Sequence, residues 1–342
     1  MTTWVVKQDG SGDFTNLTDA FAEVTLSVGD TIEIQDNGTY NEGNLSVIKA
    51  DLTIKAGTGY TPILDGGGTL DCAIKFYNNW TIDGLTITDY DGTATTGAGL
   101  ISVAGNRVVT IKNCTLHNLA DSAITGLKDG SVVENCIIYN IHTGATARGI
   151  DSSVESATIT QCLLYDIIED GIQSTDASTV ITHCTLFNTA YGGNAYGISA
   201  TLGTVKYCIV SDPYHVIADA GLRAATHSYN CVSGSEGATS GNFYGGTGTG
   251  DTESDPLLVS GSAGDPDNFK LTLGSPCIGT AVGSPPSLST DLVGVSRSWN
   301  YSHKVIGIDT AATHDMGALE YSTTAVSGTD TQYISSVVGV SD

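Results

Sequence analysis

The sequence predicts an all-β solenoid in which short strand-and-turn coils stack along one axis. Three observations predict it. First, five cysteines, Cys114, Cys136, Cys162, Cys184 and Cys208, recur 22, 26, 22 and 24 residues apart. Each sits at the same place in a repeated phrase, from Val109-Thr-Ile-Lys-Asn-Cys-Thr-Leu-His-Asn118 to Gly203-Thr-Val-Lys-Tyr-Cys-Ile-Val-Ser-Asp212. Second, the pairs Ala123-Ile124, Gly149-Ile150, Gly171-Ile172 and Gly197-Ile198 keep step, each isoleucine lying 12, 12, 12 and 10 residues before the next cysteine. Third, no amphipathic helix fits between phrases, so a repeat of this length is one coil of strands and not a βα unit.

Within a phrase the apolar positions alternate with polar ones, as Val133, Cys136 and Ile138 do among Glu134, Asn135 and Tyr139, and alternation bounded by Gly, Asn, Asp and Ser marks half-buried strands. With equivalent residues about 4.8 Å apart along the axis, cysteine lies over cysteine, and Leu116 over Ile138, Leu164, Leu186 and Val210. The polar residues four places after each cysteine, Asn118, Asn140, Asp166, Asn188 and Asp212, can cap a turn. Earlier coils are expected at Asp30-Thr-Ile-Glu-Ile, at Leu52-Thr-Ile-Lys-Ala and at 80–89, the last with Gly84 in the cysteine position. Cys231 is expected to extend the column by one coil.

These phrases resemble the right-handed, single-stranded parallel β-helix of the pectate-lyase-like superfamily, over most of the chain. The segments 9–21, 29–34 and 38–42 resemble the opening coils of pectin methylesterase-type β-helices, which implies a short N-terminal capping helix over 17–24. The segments 255–258, 268–276 and 315–321 resemble the closing segment of many β-helix surface proteins. The expected organisation is an opening coil and cap over 1–29, the β-helix over 30–232, a Gly/Ser/Thr-rich loop over 233–254, a β/loop closing segment over 255–321 and a tail over 322–342.

Thirty-seven acids against 13 bases give a net charge of −24. Such a field opposes nucleic acid and anionic membranes, so neither is an expected partner. The N-terminal residues hold no signal-peptide core and no stretch reaches transmembrane length. Together with Met1, this leads us to expect synthesis in a host cytoplasm. Of eight cysteines, five share one interior column, which reads as reduced thiols packing as small hydrophobes. Cys72 and Cys277 lie outside it without an assigned role. No Cys-x-x-Cys pair occurs, which argues against structural zinc.

Pectin methylesterases share only the turn at 38–42, where Gly38 relieves the backbone and Tyr40 packs on the first coil. Their central phrases have no counterpart. Arg107, Arg148, Arg223 and Arg297 stand in no phrase of the pectate-lyase kind, and the Asn-Thr-Asp, Asp-Asp and Gly-His-Gly phrases of polygalacturonase-type hydrolases are missing. A glycosidase can use any two carboxylates about 5 to 9.5 Å apart, and acids stacked one or two coils apart meet that separation. Asp151, Glu169 and Asp170 are therefore the catalytic candidates if the chain is an enzyme, with Asp121 two coils earlier and Arg148 and His142 nearby. The plain reading is a solvated acidic turn row, and no catalytic residue is expected. His183 and Tyr207 read as isolated surface side chains. No cofactor is expected. The oxygen-rich loops 251–255 and 265–267 leave calcium as the one open metal.

The expected function is a phage virion structural protein, a capsid decoration or an accessory fibre or spike that binds and does not catalyse. Its expected partners are copies of itself, as a trimer, and capsid or tail proteins, with host surface glycan as a further ligand. Its expected location is the virion, the alternative being extracellular or the cell surface. The tail residues 331–340 could add a strand to a partner's sheet edge. The alternative function is a polysaccharide-degrading enzyme, glycosidase or lyase, or a glycan-binding β-helix.

Overall fold

The computed structural model describes residues 1–23, 25–46, 51–92, 98–102, 107–142, 147–152, 155–189, 195–211, 221–233, 243–244, 247–260, 265–282, 290–293 and 313–319. Asp212, Arg297 and the tail 322–342 lie outside them. The chain is a right-handed parallel β-helix with three faces per coil. The first face carries the isoleucine column, with Ile74, Leu100, Ile124, Ile150, Ile172, Ile198, Leu222 and Phe243 in register. The second face precedes the cysteines and stacks Trp4, Ile32, Ile54, Ile82, Ile111, Val133, Ile159, Ile181 and Val205. The third follows the cysteines as a nine-stranded ladder from Thr39–Tyr40 to Cys231–Ser233. The first two faces fuse in the long strands Ile198–Lys206 and Leu222–Ser228.

Each face is built by the alternation that predicted it. Inward side chains such as Ile111, Val133, Ile159 and Ile181 are fully buried and meet another β-branched aliphatic side chain one coil away. Burying each contributes roughly 1.5–3 kcal/mol. The sharp corner between the second and third faces needs a left-handed residue, and the residue before each cysteine supplies it: Asn113 (φ 54°), Asn135 (56°), Gln161 (54°) and His183 (53°). Asparagine tolerates this conformation better than most side chains. The amides then run as a ladder. Asn113 Nδ2 donates to Asp83 Oδ1 at 2.7 Å, Asn135 Nδ2 to Asn113 Oδ1 at 2.7 Å, and Gln161 Nε2 to Asn135 Oδ1 at 3.1 Å. The row expected to cap turns is a second set of left-handed residues, Asn118, Asn140, Asp166 and Asn188. Its side chains bond along the axis, Asn140 Nδ2 donating to Asn118 Oδ1 at 2.6 Å and Asn188 Nδ2 to Asp166 Oδ1.

Two register expectations are corrected by one residue. Thr115 pairs with Thr86, so Leu85 takes the cysteine position and Gly84, at φ 76°, takes the corner. Ile209 pairs with Cys231, so the column ends on Asn230 and Cys231 faces outward. Asn230 suits the end of the column because its amide closes the open backbone there. Its Oδ1 accepts from Cys208 N at 2.9 Å and its Nδ2 donates to Val205 O at 3.1 Å.

The N-terminal helix spans Leu17–Ala22 and takes the place of a first-face strand in the opening coil. Asn16 caps it, and the Glu42 carboxylate accepts from Leu17 N at 2.8 Å. Phe21 meets Trp80 edge-on inside the helix bore, with centroids 5.6 Å apart. Gly38 has no left-handed φ, and a Cβ there would stand 2.4 Å from Gln8 Oε1, the mobile end of an exposed side chain, so the position does not demand glycine.

The described C-terminal residues lie along the flank of the third face. Phe269 and Leu319 pack with Leu163, Tyr165 and Phe187. Leu271, Cys277, Ala281 and Met316 pack with Ile209 and Cys231. Gly317 N donates to Tyr207 O at 2.7 Å, and Ala318 N to Thr185 Oγ1 at 2.9 Å.

Candidate functional site

The acidic row lies at the corner between the third and first faces. A glycine column makes this corner tight. A Cβ on Gly149 would stand 2.5 Å from Gly171 O, and one on Gly171 would stand 2.5 Å from Leu186 Cδ2. The residues just before these glycines, Arg148, Asp170 and Tyr196, therefore stack at the corner over Ser122. Asp151 faces outward from the adjoining strand Ile150–Ser152, in register with Gln173.

Arg148 holds the cluster together. Its guanidinium reaches Asp151 Oδ2 at 3.1 Å in its own coil and Asp170 Oδ2 at 3.7 Å in the next. Its backbone N–H donates to Ser122 Oγ at 3.2 Å. Asp170 Oδ1 accepts from Tyr196 N at 2.6 Å. The Arg223 guanidinium then lies 5.7 Å from the centre of the Tyr196 ring. Asp170 is 6% exposed. Burial pushes its carboxyl up to about 6, against the pull of the Tyr196 N–H and Arg148, and the nearby Glu169 and Asp151 add to the rise. Glu169 is also raised, chiefly by burial.

Of the sequence candidates, the structure brings Asp151 and Asp170 onto one arginine and sets Glu169 beside them. Asp121 accepts from its neighbour Ser122 N at 2.7 Å. His142 is exposed, its Nδ1 2.9 Å from Asn140 O. A carboxyl that holds its proton near neutrality can serve as a general acid. Here, though, one oxygen of that carboxyl is bound to backbone and the other faces an arginine, which is also how a corner is buttressed.

The loops named for calcium have protein partners. Asp251 accepts from Asn230 N at 2.8 Å and Gly248 N at 2.6 Å, and its Oδ2 lies 2.6 Å from His227 Nδ1. Asp265 caps the short helix Pro266–Phe269, and Asp267 pairs with Lys270 at 2.6 Å. Among the described residues no cluster of three His, Cys, Asp or Glu side chains has the arrangement of a metal site.

The sequence reading missed an aromatic column. The third residues after the cysteines, His117, Tyr139 and Tyr165, stack at 4.7 Å intervals, and Phe269 continues the stack at 4.8 Å. The signal was present at one fixed place in four of the five phrases, the fifth having Ser211 there. His183 and Tyr207 are corrected by the same principle. They are not isolated, but meet ring to ring at 4.9 Å, and His183 is buried. A groove of about 330 Å³ lies at a different corner, between the first and second faces, lined in part by Asp51, Thr53, Asn79, Thr81 and Thr110.

Residues 72–239 match the family described as right handed beta helix region. No curated protein matches the chain in sequence. The solved structure of the pectate lyase Pel9A is similar in fold, with a TM-score of 0.54 at 12% identity, over 94% of this chain and 97% of that one. At that identity the likeness extends to the fold alone. The chain is thus a right-handed parallel β-helix protein of pectate-lyase-like fold.

Proposed function

We propose that the chain is a non-catalytic structural component of a bacteriophage particle, a capsid decoration or an accessory fibre or spike that works by binding. One observation carries the non-catalytic part. The carboxylates best placed for glycan chemistry, Asp151 and Asp170, share Arg148, and Asp170 gives its other oxygen to Tyr196 N. Charges paired in this way rigidify a corner. The virion role draws its support from the sequence: an acidic rod whose thiols pack reduced suits assembly in a cytoplasm. Partners in this reading are further copies of the chain, as a trimer, and capsid or tail proteins. The test is copurification. The chain should sediment with intact particles through a density gradient and stay with them in high salt. Its recovery only in the free-protein fraction overturns the reading.

The position of Asp170, pushed up to about 6 by burial, favours glycan cleavage as the second reading. Under it, Asp170→Asn and Asp151→Asn abolish release of reducing or unsaturated sugar ends from host surface polysaccharide. Under the first reading, wild type and variants are equally inactive.

A further inference from the structure

We propose that Cys231 and Cys277 form an oxidisable pair whose disulfide straps the C-terminal segment to the last coils of the β-helix. All eight cysteines are reduced and buried, but they occupy different settings. The five column thiols each donate to the carbonyl two residues back, as Cys136 Sγ does to Glu134 O at 3.3 Å, and they belong to the core of the bore. Cys72 Sγ bonds Asn44 Oδ1 at 3.4 Å, inside the coils. Cys231 has left the column. It faces outward from the third face and shares a separate buried cluster with Cys277, Leu271 and Met316. The two thiols are neighbours within this cluster, and Cys231 Sγ also reaches Ser254 O at 3.1 Å. Among the described residues this is the one thiol contact that joins the coils to the C-terminal segment.

A link here would close a loop from residue 231 to residue 277. Cross-links over long loops restrict the open ensemble most in the chain-entropy account. The pair is also the one that a local opening would reach. Contact with Cys231, together with burial, pushes the Cys277 thiol well up, so it is inert while the segment is docked. Lifting a flank segment is a local opening, whereas exposing the column requires whole coils to unfold.

The oxidant is a low-molecular-weight disulfide. One cysteine thiolate attacks it, forming a mixed disulfide and expelling one small thiolate. When the segment docks, the second cysteine thiolate attacks the protein sulfur of the mixed disulfide and expels the other small thiolate. One S–S bond is formed in the protein and one is lost from the oxidant. Two electrons pass to the oxidant, and the two cysteine protons end on the released thiolates or in solvent.

The experiment incubates the full folded chain with oxidised glutathione, followed by intact-mass measurement, peptide mapping and limited proteolysis. The expected result is a mass lower by two hydrogens and one linked peptide pair containing Cys231 and Cys277. Proteolysis of the C-terminal segment should slow by at least about tenfold and recover after reduction. Cys277→Ser should lose the link and Cys136→Ser should keep it. Should Cys277→Ser fail to fold, native-state alkylation of the wild type with N-ethylmaleimide decides: Cys231 and Cys277 should be modified before Cys114, Cys136, Cys162, Cys184 and Cys208. Links within the column, mixed disulfides that never resolve, or column thiols reacting first would each overturn the proposal.

Discussion

Asp170 shows how a residue in a repeated position acquires a property its neighbours lack. Its counterparts one coil away on either side are Arg148 and Tyr196, so it accepts an ion pair and a backbone N–H while losing most of its water. Desolvation wins, and the carboxyl rises from its ordinary 3.8 to about 6. The sign of the linkage follows. Below about pH 4 the group is neutral in the folded and unfolded chains alike, and burial costs it nothing in charge. As pH rises through about 6, the folded chain must hold a buried carboxylate, and stability is lost across that window. The loss is on the order of 3 kcal/mol for this shift. Asp170→Asn removes the titration and keeps an acceptor for Tyr196 N. In urea denaturation the variant should therefore gain on the wild type by roughly 3 kcal/mol between about pH 4 and pH 7. An equal pH dependence in both proteins would show that folding leaves the Asp170 carboxyl unshifted.

At the scale of elements, the C-terminal segment depends on a few anchors. The four-residue helix Pro266–Phe269 is started by Asp265, whose side chain accepts from Asp267 N, and it delivers Phe269 between Tyr165 and Phe187. Phe269→Ala removes a fully buried ring from that cluster. Such truncations cost about 3–5 kcal/mol, and the cost falls on docking of the segment and not on the coils. The expected outcome is rapid proteolytic loss of the C-terminal segment, with a resistant β-helix left behind and near-wild-type far-UV circular dichroism. Simultaneous loss of both would mean that segment and coils unfold as one unit. This docking was not legible in the sequence, because Phe269 and its partners lie some eighty or more residues apart and no local period links them. The coils were legible, since alternation and cysteine spacing repeat once per coil. The one-residue errors at Gly84 and Cys231 arose from following residue identity. The corner asks for a left-handed residue and the end of the column for a backbone-bonding amide, and a slip of one residue changes which side of the strand faces the core. The same register was enough to bring Asp151, Glu169 and Asp170 together around Arg148. The burial that sets Asp170 apart depends on the packed corner and has no signature in the pattern.

For the whole molecule, a solenoid joins each coil only to its neighbours, so long-range coupling falls to its electrostatics. Several of the bases are already committed along the outer surface. Lys55 meets Glu33 at 2.7 Å, Lys112 meets Asp83 at 3.4 Å and Lys128 meets Glu155 at 3.2 Å. These pairs are partly exposed and individually weak, and pairing does not alter the net charge of −24. Two effects of salt then compete. Screening weakens the pairs, and it also relieves the repulsion among excess carboxylates spread along the rod. The pairs are few and short-range, while the repulsion is summed over the molecule and acts over about 10 Å at 0.1 M salt, shrinking to about 3 Å at 1 M. Repulsion should dominate. The unfolding temperature should therefore rise with sodium chloride from about 0.02 M to about 0.5 M, and choline chloride should act alike because the effect is screening and not site binding. A fall with added salt would show that the ion-pair rows, and not the excess charge, govern the stability of the rod.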